Sequence, residues 1–381
     1  MPSRAALTAR QPIERAAMIP FQRPSLPAAA AIDGYLDLAR EEHWFSNGGP
    51  CWRLLRDRLG ERAGAYCIPV ASGTLGLMVA LAAVLGDARG GRRALMPSFT
   101  FVATAQAASW AGLEPQLCDV APDHWHLCPD RLERALADGD VGAVLAVSAF
   151  GTPPPAETRG RWEQACREAG VPLVVDSAAG FGAVAEDGLP VGAQGDVEVV
   201  SFHATKPFGI GEGGAIFTRD RELRDRIELA VNFGFRADRS IGFAHGLNAK
   251  MSELHAATAL TVLDELDSIL AGRRRAAAAL RARAGDGVGW QRCAELSTWQ
   301  FVPVALAGAA ERQRLIEACE GRVEVRVYYE PLSQLLPHPP PAAGGGLPET
   351  DSLHARILCL PMANDLSEAE LATIGALLEA A

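Results

Sequence analysis

The sequence predicts an α/β protein: a mostly parallel central sheet flanked by helices, with a smaller C-terminal α+β domain. Three observations lead there. Short apolar runs alternate with helical stretches along most of the 381 residues. Those runs are short and mostly apolar, as strands of a sheet covered on both faces require. After Gly285 the order changes to a strand, a helix, a strand and a terminal helix. The length holds a large domain and a smaller one, and 49% hydrophobic residues supply a sizeable core. The expected division is residues 1–250, a large domain with an N-terminal arm, and residues 251–381, a long connecting helix and the small domain.

The first thirty residues, rich in Pro and Ala, are expected to wrap the surface. Strands are expected at Tyr66–Val70, Arg93–Met96, Pro115–Asp119, Ala143–Ala149, Leu173–Asp176 and Val197–Phe202. Helices are expected between them, at Leu75–Leu85, Thr104–Ala111 and Arg159–Ala169. A long helix should run from Met251 to about Ala284, with Leu254, Leu263, Leu266 and Leu270 on one side and a bend or break at Gly272. The C-terminal part should hold strands near Phe301–Ala305 and Val323–Tyr328 and helices at Ala310–Cys319 and Ser367–Ala380. The Pro and Gly clusters of Leu336–Leu347 mark a surface loop.

Composition narrows the function. Net charge is −10 and no basic patch rich in aromatics stands out, so nucleic acid is not an expected partner. The Arg273-Arg274-Arg275 run reads as a solvated helix face. The eight cysteines show neither a CxxC pair nor a Cys/His metal spacing. They read as reduced core residues of a cytoplasmic protein, with no metal. No apolar run reaches membrane-spanning length.

Lysine carries the chemical signal. Only Lys206 and Lys250 occur among 36 cationic residues; every other one is arginine. High genomic GC content explains that scarcity, but not where the two remain. An amine can lose its proton and attack a carbonyl, and a guanidinium cannot. Lys206 ends Ser201-Phe202-His203-Ala204-Thr205-Lys206, Asp176 closes an earlier strand, and Ser72-Gly73-Thr74 follows the first. Ligands in open α/β sheets bind beyond the carboxyl ends of strands, where all three lie.

These are the parts of a pyridoxal 5′-phosphate (PLP) site. Lys206 supplies an amine for the Schiff base, and Asp176 a carboxylate against the pyridine nitrogen. Gly73 and Thr74 open a helix whose N-terminal N–H groups suit a phosphate, and Ser201 adds a hydroxyl. Phe101 is the candidate for a flat partner over the ring. Taken singly, each has an ordinary explanation: a strand-end Asp, a helix cap, a core Phe. Their order and placement make the case together.

The same residues resemble the DegT/DnrJ/EryC1/StrS family of sugar-nucleotide aminotransferases. The resemblance runs from about Ile19 to the C-terminus. It rests on Phe45-Ser46-Asn47-Gly48-Gly49-Pro50, Ser72-Gly73-Thr74, Thr100-Phe101-Val102-Ala103-Thr104, Asp176-Ser177-Ala178 and the lysine motif. It continues in Gly211-Glu212-Gly213-Gly214, Gly246-Leu247-Asn248-Ala249-Lys250-Met251 and Leu360-Pro361. The form of these motifs is similar to the branch that aminates dTDP-linked 4-keto-6-deoxyhexoses.

The resemblance implies the aspartate-aminotransferase type of PLP-dependent transferase fold, fold type I. It implies transfer of an amino group from an amino acid, usually L-glutamate, to a keto-sugar nucleotide, in glycan or secondary-metabolite biosynthesis. The alternatives are a non-sugar ketone or another PLP reaction on the same site and, from a different class, a non-catalytic regulator. It implies that Lys206 and Asp176 are catalytic and that Ser72, Gly73, Thr74, Phe101 and Ser201 hold the cofactor. In a homodimer with shared sites, Asn248 would reach the neighbouring subunit's phosphate. Lys250, Tyr328 and Tyr329 are candidate substrate contacts; for Lys250 the plain alternative is a surface charge at a helix start. His203 reads as structural. Two positions depart from the family. Ala179 stands where His or Gln usually follows the aspartate by three, and Ser148 where a strand-end His is frequent. Both put the substrate in question more than the cofactor.

Overall fold

The structure is a computed structural model describing residues 18–88, 91–340 and 342–381. Residues 1–17 of the expected N-terminal arm lie outside the described residues. Two helices come first, α1 (Ala29–Glu41) and α2 (Pro50–Ala63). The alternating region is β1 (Tyr66–Val70), α3 (Gly73–Leu85), β2 (Arg93–Pro97), α4 (Ala103–Trp110), β3 (Glu114–Cys118), α5 (Pro129–Ala137), β4 (Val141–Val147), α6 (Ala156–Ala169), β5 (Leu173–Asp176), β6 (Val197–Ser201), β7 (Gly214–Thr218) and α7 (Arg221–Val231). Then come α8 (Glu253–Arg283), β8 (Val302–Ala305), α9 (Ala309–Cys319), α10 (Leu332–Leu335), α11 (Pro348–Arg356), β9 (Ile357–Leu360) and α12 (Glu368–Glu379).

The main sheet has seven strands in the order β1-β7-β6-β5-β4-β2-β3. Its β2–β3, β2–β4, β4–β5 and β5–β6 pairs are parallel, and β7 runs antiparallel to both neighbours. The wholly buried patterns of β4, β5 and β7 explain their continuous apolar character. One apolar cluster joins the sheet to α3, α4 and α7; another joins it to α1, α2 and the first half of α8. The second half of α8 contributes Ala277 and Leu280 to a separate core with α9, α12 and the β8–β9 pair. Parallel order places the carboxyl ends of β2, β4, β5 and β6 along one edge, with the turn into α3 beside them.

Several expectations need correction. The helix after β1 begins at Gly73, two residues before Leu75, because Ser72 caps it: its Oγ accepts from Leu75 N at 3.2 Å. Helix α8 passes Gly272 without a break. A mid-helix glycine costs only ~1 kcal/mol relative to alanine, and buried Leu266, Leu270, Ala277 and Leu280 anchor both sides of it. Leu254 is 55% exposed while Leu263, Leu266 and Leu270 are buried. Nine residues separate Leu254 from Leu263, which at about 100° per residue is half a turn out of phase. Arg273 is not solvated: it is buried, donating from Nε to Asn364 Oδ1 (2.7 Å) and from Nη1 to the Trp299 carbonyl (2.7 Å).

Val323–Tyr328 is not a strand of a ladder. It makes single bridges, Val323 to Ile19 and Arg326 to Cys359. The true partner of β8 is β9, so the Leu360-Pro361 motif closes a strand. Strand β7 was also unexpected. The eight cysteines are free. Among the described residues no helix is long and apolar enough to cross a membrane, and no cluster of His, Cys, Asp and Glu could hold a metal.

Candidate active site

A cavity of about 560 Å³ opens at the carboxyl edge of the main sheet. That volume suits a cofactor-sized ligand. Of the residues singled out in the sequence, Ser72, Gly73, Thr74, Phe101, Asp176, Ser201 and Lys206 line it, as do Tyr328 and Tyr329. These come from segments far apart in the chain. Asn248 and Lys250 do not line it. Asn248 is exposed and bridges to Asn232, and Lys250 Nζ sits 4.6 Å from the Phe233 ring centre.

Lys206 follows β6 through a tight loop in which its N–H bonds the His203 carbonyl at 2.8 Å. Its Nζ donates to Gln300 Oε1 at 3.3 Å. Burial pushes the amine down to about 8, with Asp176 pulling the other way. A lysine ordinarily titrates well above this, so near neutral pH an appreciable share is the free, nucleophilic base.

Asp176 ends β5 and is buried. Its Oδ2 accepts from Thr104 Oγ1 at 2.8 Å and its Oδ1 from Ala178 N at 3.2 Å. Burial raises the carboxyl above its ordinary value, opposed by the Thr104 hydroxyl, the Lys206 cation and the Ala178 N–H. Thr104 is held in turn by Thr100, with their hydroxyls 3.1 Å apart. The Thr100–Thr104 motif thus places the hydroxyl that orients Asp176.

The candidate phosphate cradle depends on close backbone approach. A Cβ on Gly73 would come within 2.8 Å of Ser201 Cβ, and one on Gly214 within 2.8 Å of Gly73 N. Only glycine at both positions lets the N-terminus of α3 sit against the β6–β7 pair, where Ser201 faces Gly214. The first N–H groups of α3 have no intrahelical partner and carry the positive end of a 13-residue helix. An anion bound there is stabilised without further design. The Ser72 hydroxyl is engaged in the helix cap, and Ser201 Oγ accepts from His203 N at 3.2 Å. His203 Nδ1 lies 2.9 Å from Thr205 Oγ1 within the same loop, and His203 also lines the cavity.

Phe101 is 59% exposed at the cavity wall, a flat apolar face open to a ligand. Tyr329 stacks on Phe150 at 4.9 Å, and Tyr328 packs against Phe21 and Phe301. Ala179 and Ser148 both line the cavity and are buried.

The lining residues to which the sequence reading gave no role include Gln22, Glu212 and Gln300. Glu212 sat inside a recognised motif without an assigned role. Gln300 lies 94 residues from Lys206 with no local pattern around it, so only the fold reveals the contact. The residues present therefore fit PLP: an amine of lowered basicity, an oriented buried carboxylate, a glycine-lined helix N-terminus and an exposed aromatic face in one cavity.

Comparison with known proteins agrees. The profile of the DegT/DnrJ/EryC1/StrS aminotransferase family matches residues 29–379. Protein Rv3402c of Mycobacterium tuberculosis is 34% identical over 378 residues, covering 95% of this chain and 90% of that protein. A dTDP-4-amino-4,6-dideoxy-D-glucose transaminase of Shigella dysenteriae is 32% identical over 257 residues, 67% of each chain. Among solved structures, DesI in the presence of its TDP-sugar product superposes with a TM-score of 0.83 at 34% identity, covering 94% of this chain and 91% of that one. With the profile spanning nearly the whole chain and a fold of type I, this protein belongs to the DegT/DnrJ/EryC1/StrS aminotransferase family and is a PLP-dependent aminotransferase.

Proposed function

We propose that the protein transfers an amino group from L-glutamate to a keto-sugar nucleotide, a dTDP-4-keto-6-deoxyhexose, in amino-sugar biosynthesis. The observation that carries the reading is the meeting of Lys206, Asp176 and the Gly73–Thr74 turn in one cavity. The relatives named for dTDP-sugar and TDP-sugar chemistry support the choice of acceptor. Bound PLP supplies an aldehyde that carries the amino group and a ring that accepts electrons. With PLP bound, Lys206 Nζ would be the group that holds its aldehyde and the base placed to move protons. The Asp176 carboxylate, steadied by Thr104 and Ala178, keeps the ring nitrogen protonated. Gly73, Thr74 and Ser201 would hold the phosphate, and Phe101 would offer its flat face to the ring. Tyr328 and Tyr329 contact the acceptor. Mass spectrometry of products from dTDP-, UDP- and GDP-linked ketosugars with L-glutamate tests this. An aminated dTDP product supports the acceptor; amination of none of the three would overturn it.

Ala179 tests how the acceptor is chosen. Its small side chain leaves room in the cavity wall. Ala179→His is expected to change preference among acceptors by about tenfold, while the reaction with glutamate changes little. The two half-reactions are followed separately by cofactor absorbance. Equal loss in both, or loss of PLP, would contradict a role confined to the acceptor.

The active site is proposed to be completed across a two-fold homodimer. Asn248 and Lys250 stand outside their own cavity, and Phe233, Phe235 and Ile241 near them are exposed. A symmetric dimer makes any exchange reciprocal: each chain gives Asn248 and receives one. Lys206→Ala and Asn248→Asp are each expected to be nearly inactive. After joint unfolding and random reassembly, about half the dimers are mixed and each carries one complete site. Activity then recovers to about a quarter of wild type. No recovery, despite mixed dimers seen by native mass spectrometry, would place Asn248 in its own subunit's site.

A further inference from the structure

Gln22 lines the active-site cavity, and no step of the proposed amino transfer uses it. It lies on a segment, residues 18–27, that is tied to the C-terminal part of the chain. The Ile19 N–H donates to the Arg322 carbonyl, and the Ile19 carbonyl accepts from Glu324 N, both at 2.9 Å. The Phe21 N–H donates to Glu324 Oε2 at 3.0 Å, and its ring stacks on Phe301 with centres 4.6 Å apart. Arg23 pairs with Asp365 at 3.2 Å and with Glu370. Anchors thus stand on both sides of Gln22, at Phe21 and at Arg23. The Gln22 carboxamide itself has no hydrogen-bond partner among the described residues. An amide carried on a fixed backbone and left unpaired at a cavity wall is preorganised to meet a ligand.

Its place beside Lys206 says which part of a ligand it meets. Gln22 and Lys206 both line the active-site cavity. Arg23 and Lys206 both line a second cavity, of about 530 Å³. The partition between the two cavities therefore runs past Lys206 and between Gln22 and Arg23. The contacts agree: Lys206 Nζ donates to Gln300 at 3.3 Å, and the next residue, Phe301, stacks on the neighbour of Gln22. Gln300 is engaged by that bond, whereas Gln22 is free to bind.

A ketone aminated here brings its carbonyl carbon to Lys206, where the proton moves. The groups flanking the carbonyl then come to Gln22. In a dTDP-4-keto-6-deoxyhexose, one flanking carbon bears a hydroxyl and the other bears the methyl group. A methyl group forms no hydrogen bond of this kind. A hydroxyl both gives and accepts, as a carboxamide does. We propose that Gln22 is a specificity residue whose carboxamide hydrogen-bonds the acceptor's hydroxyl on the carbon next to the reacting ketone. The proposal rests on the reading of the acceptor as such a ketosugar.

The test compares two acceptors, the dTDP-4-keto-6-deoxyhexose and its analogue without that hydroxyl. Each is given to wild type, Gln22→Ala and Gln22→Met. Amino transfer runs in two half-reactions, so kcat/KM for the acceptor reports the second alone. With the hydroxylated acceptor both variants should lose about tenfold in kcat/KM, the weight of one net hydrogen bond. With the analogue both should match wild type within about twofold. Gln22→Met keeps the length of the side chain and removes the amide, so it separates a lost hydrogen bond from lost bulk. Equal losses with both acceptors would make Gln22 a residue that only shapes the wall, and overturn the proposal. No loss with either acceptor would overturn it too. Should neither variant fold, wild type that uses the analogue as well as the hydroxylated acceptor overturns it. Wild-type protein that aminates no dTDP-linked ketosugar would instead sink the acceptor reading, and this proposal with it.

Discussion

Lys206→Ala is expected to abolish amino transfer, lowering turnover by at least roughly 10⁴-fold. Two functions are lost with one side chain, the bond to the cofactor aldehyde and the proton shuttle. The rest of the site should persist, because among the described residues the Lys206 side chain has a single hydrogen-bond partner, Gln300. The proposed phosphate cradle of Gly73, Thr74, Ser201 and Gly214 is packed through backbone contacts that do not involve the amine. Equilibrium dialysis should therefore find PLP still bound, non-covalently and more weakly. Lys206→Arg should be as inactive as Lys206→Ala, since a guanidinium stays protonated at any working pH. Measurable turnover in either variant would remove Lys206 from the chemistry.

Asp176→Asn is expected to retain PLP and lose about 10³-fold in turnover. The amide is nearly the same size and can keep the Thr104 contact through its oxygen. It carries no charge, however, and cannot hold a proton on the ring nitrogen. The loss should fall on kcat in both half-reactions, because both use the ring as the electron acceptor. Thr104→Val, which leaves the carboxylate but removes its 2.8 Å hydroxyl partner, should cost far less. Near-normal turnover in Asp176→Asn would mean that another residue pairs with the nitrogen.

What the sequence made legible follows the range of the interactions involved. Strands β1 and β5 were readable end to end, because a buried strand is a mostly apolar run. The Ser201-to-Lys206 loop and the Gly73 turn were readable because chemistry and close packing restrict them locally. The Val323–Tyr328 segment shows the limit. Its alternation, Val-Glu-Val-Arg-Val-Tyr, describes an extended chain correctly but says nothing of pairing. Its neighbours are Ile19 and Cys359, hundreds and tens of residues away, and each gives it one bridge. Leu254 misled because leucine was counted without its angular position on the helix. Gln300 was invisible for a different reason. A lone polar residue in an apolar stretch has no signature until the fold brings its partners together.

The family resemblance and the residue chemistry converge on one atom, Lys206 Nζ. The most direct measurement is borohydride reduction of the PLP-loaded protein, followed by proteolysis and peptide mass spectrometry. The predicted result is a single stable phosphopyridoxyl adduct on the peptide containing Ser201–Lys206, lost in Lys206→Ala. A chain with two lysines makes the outcome unambiguous. An adduct on Lys250, or none on a protein that binds PLP, would contradict the assignment.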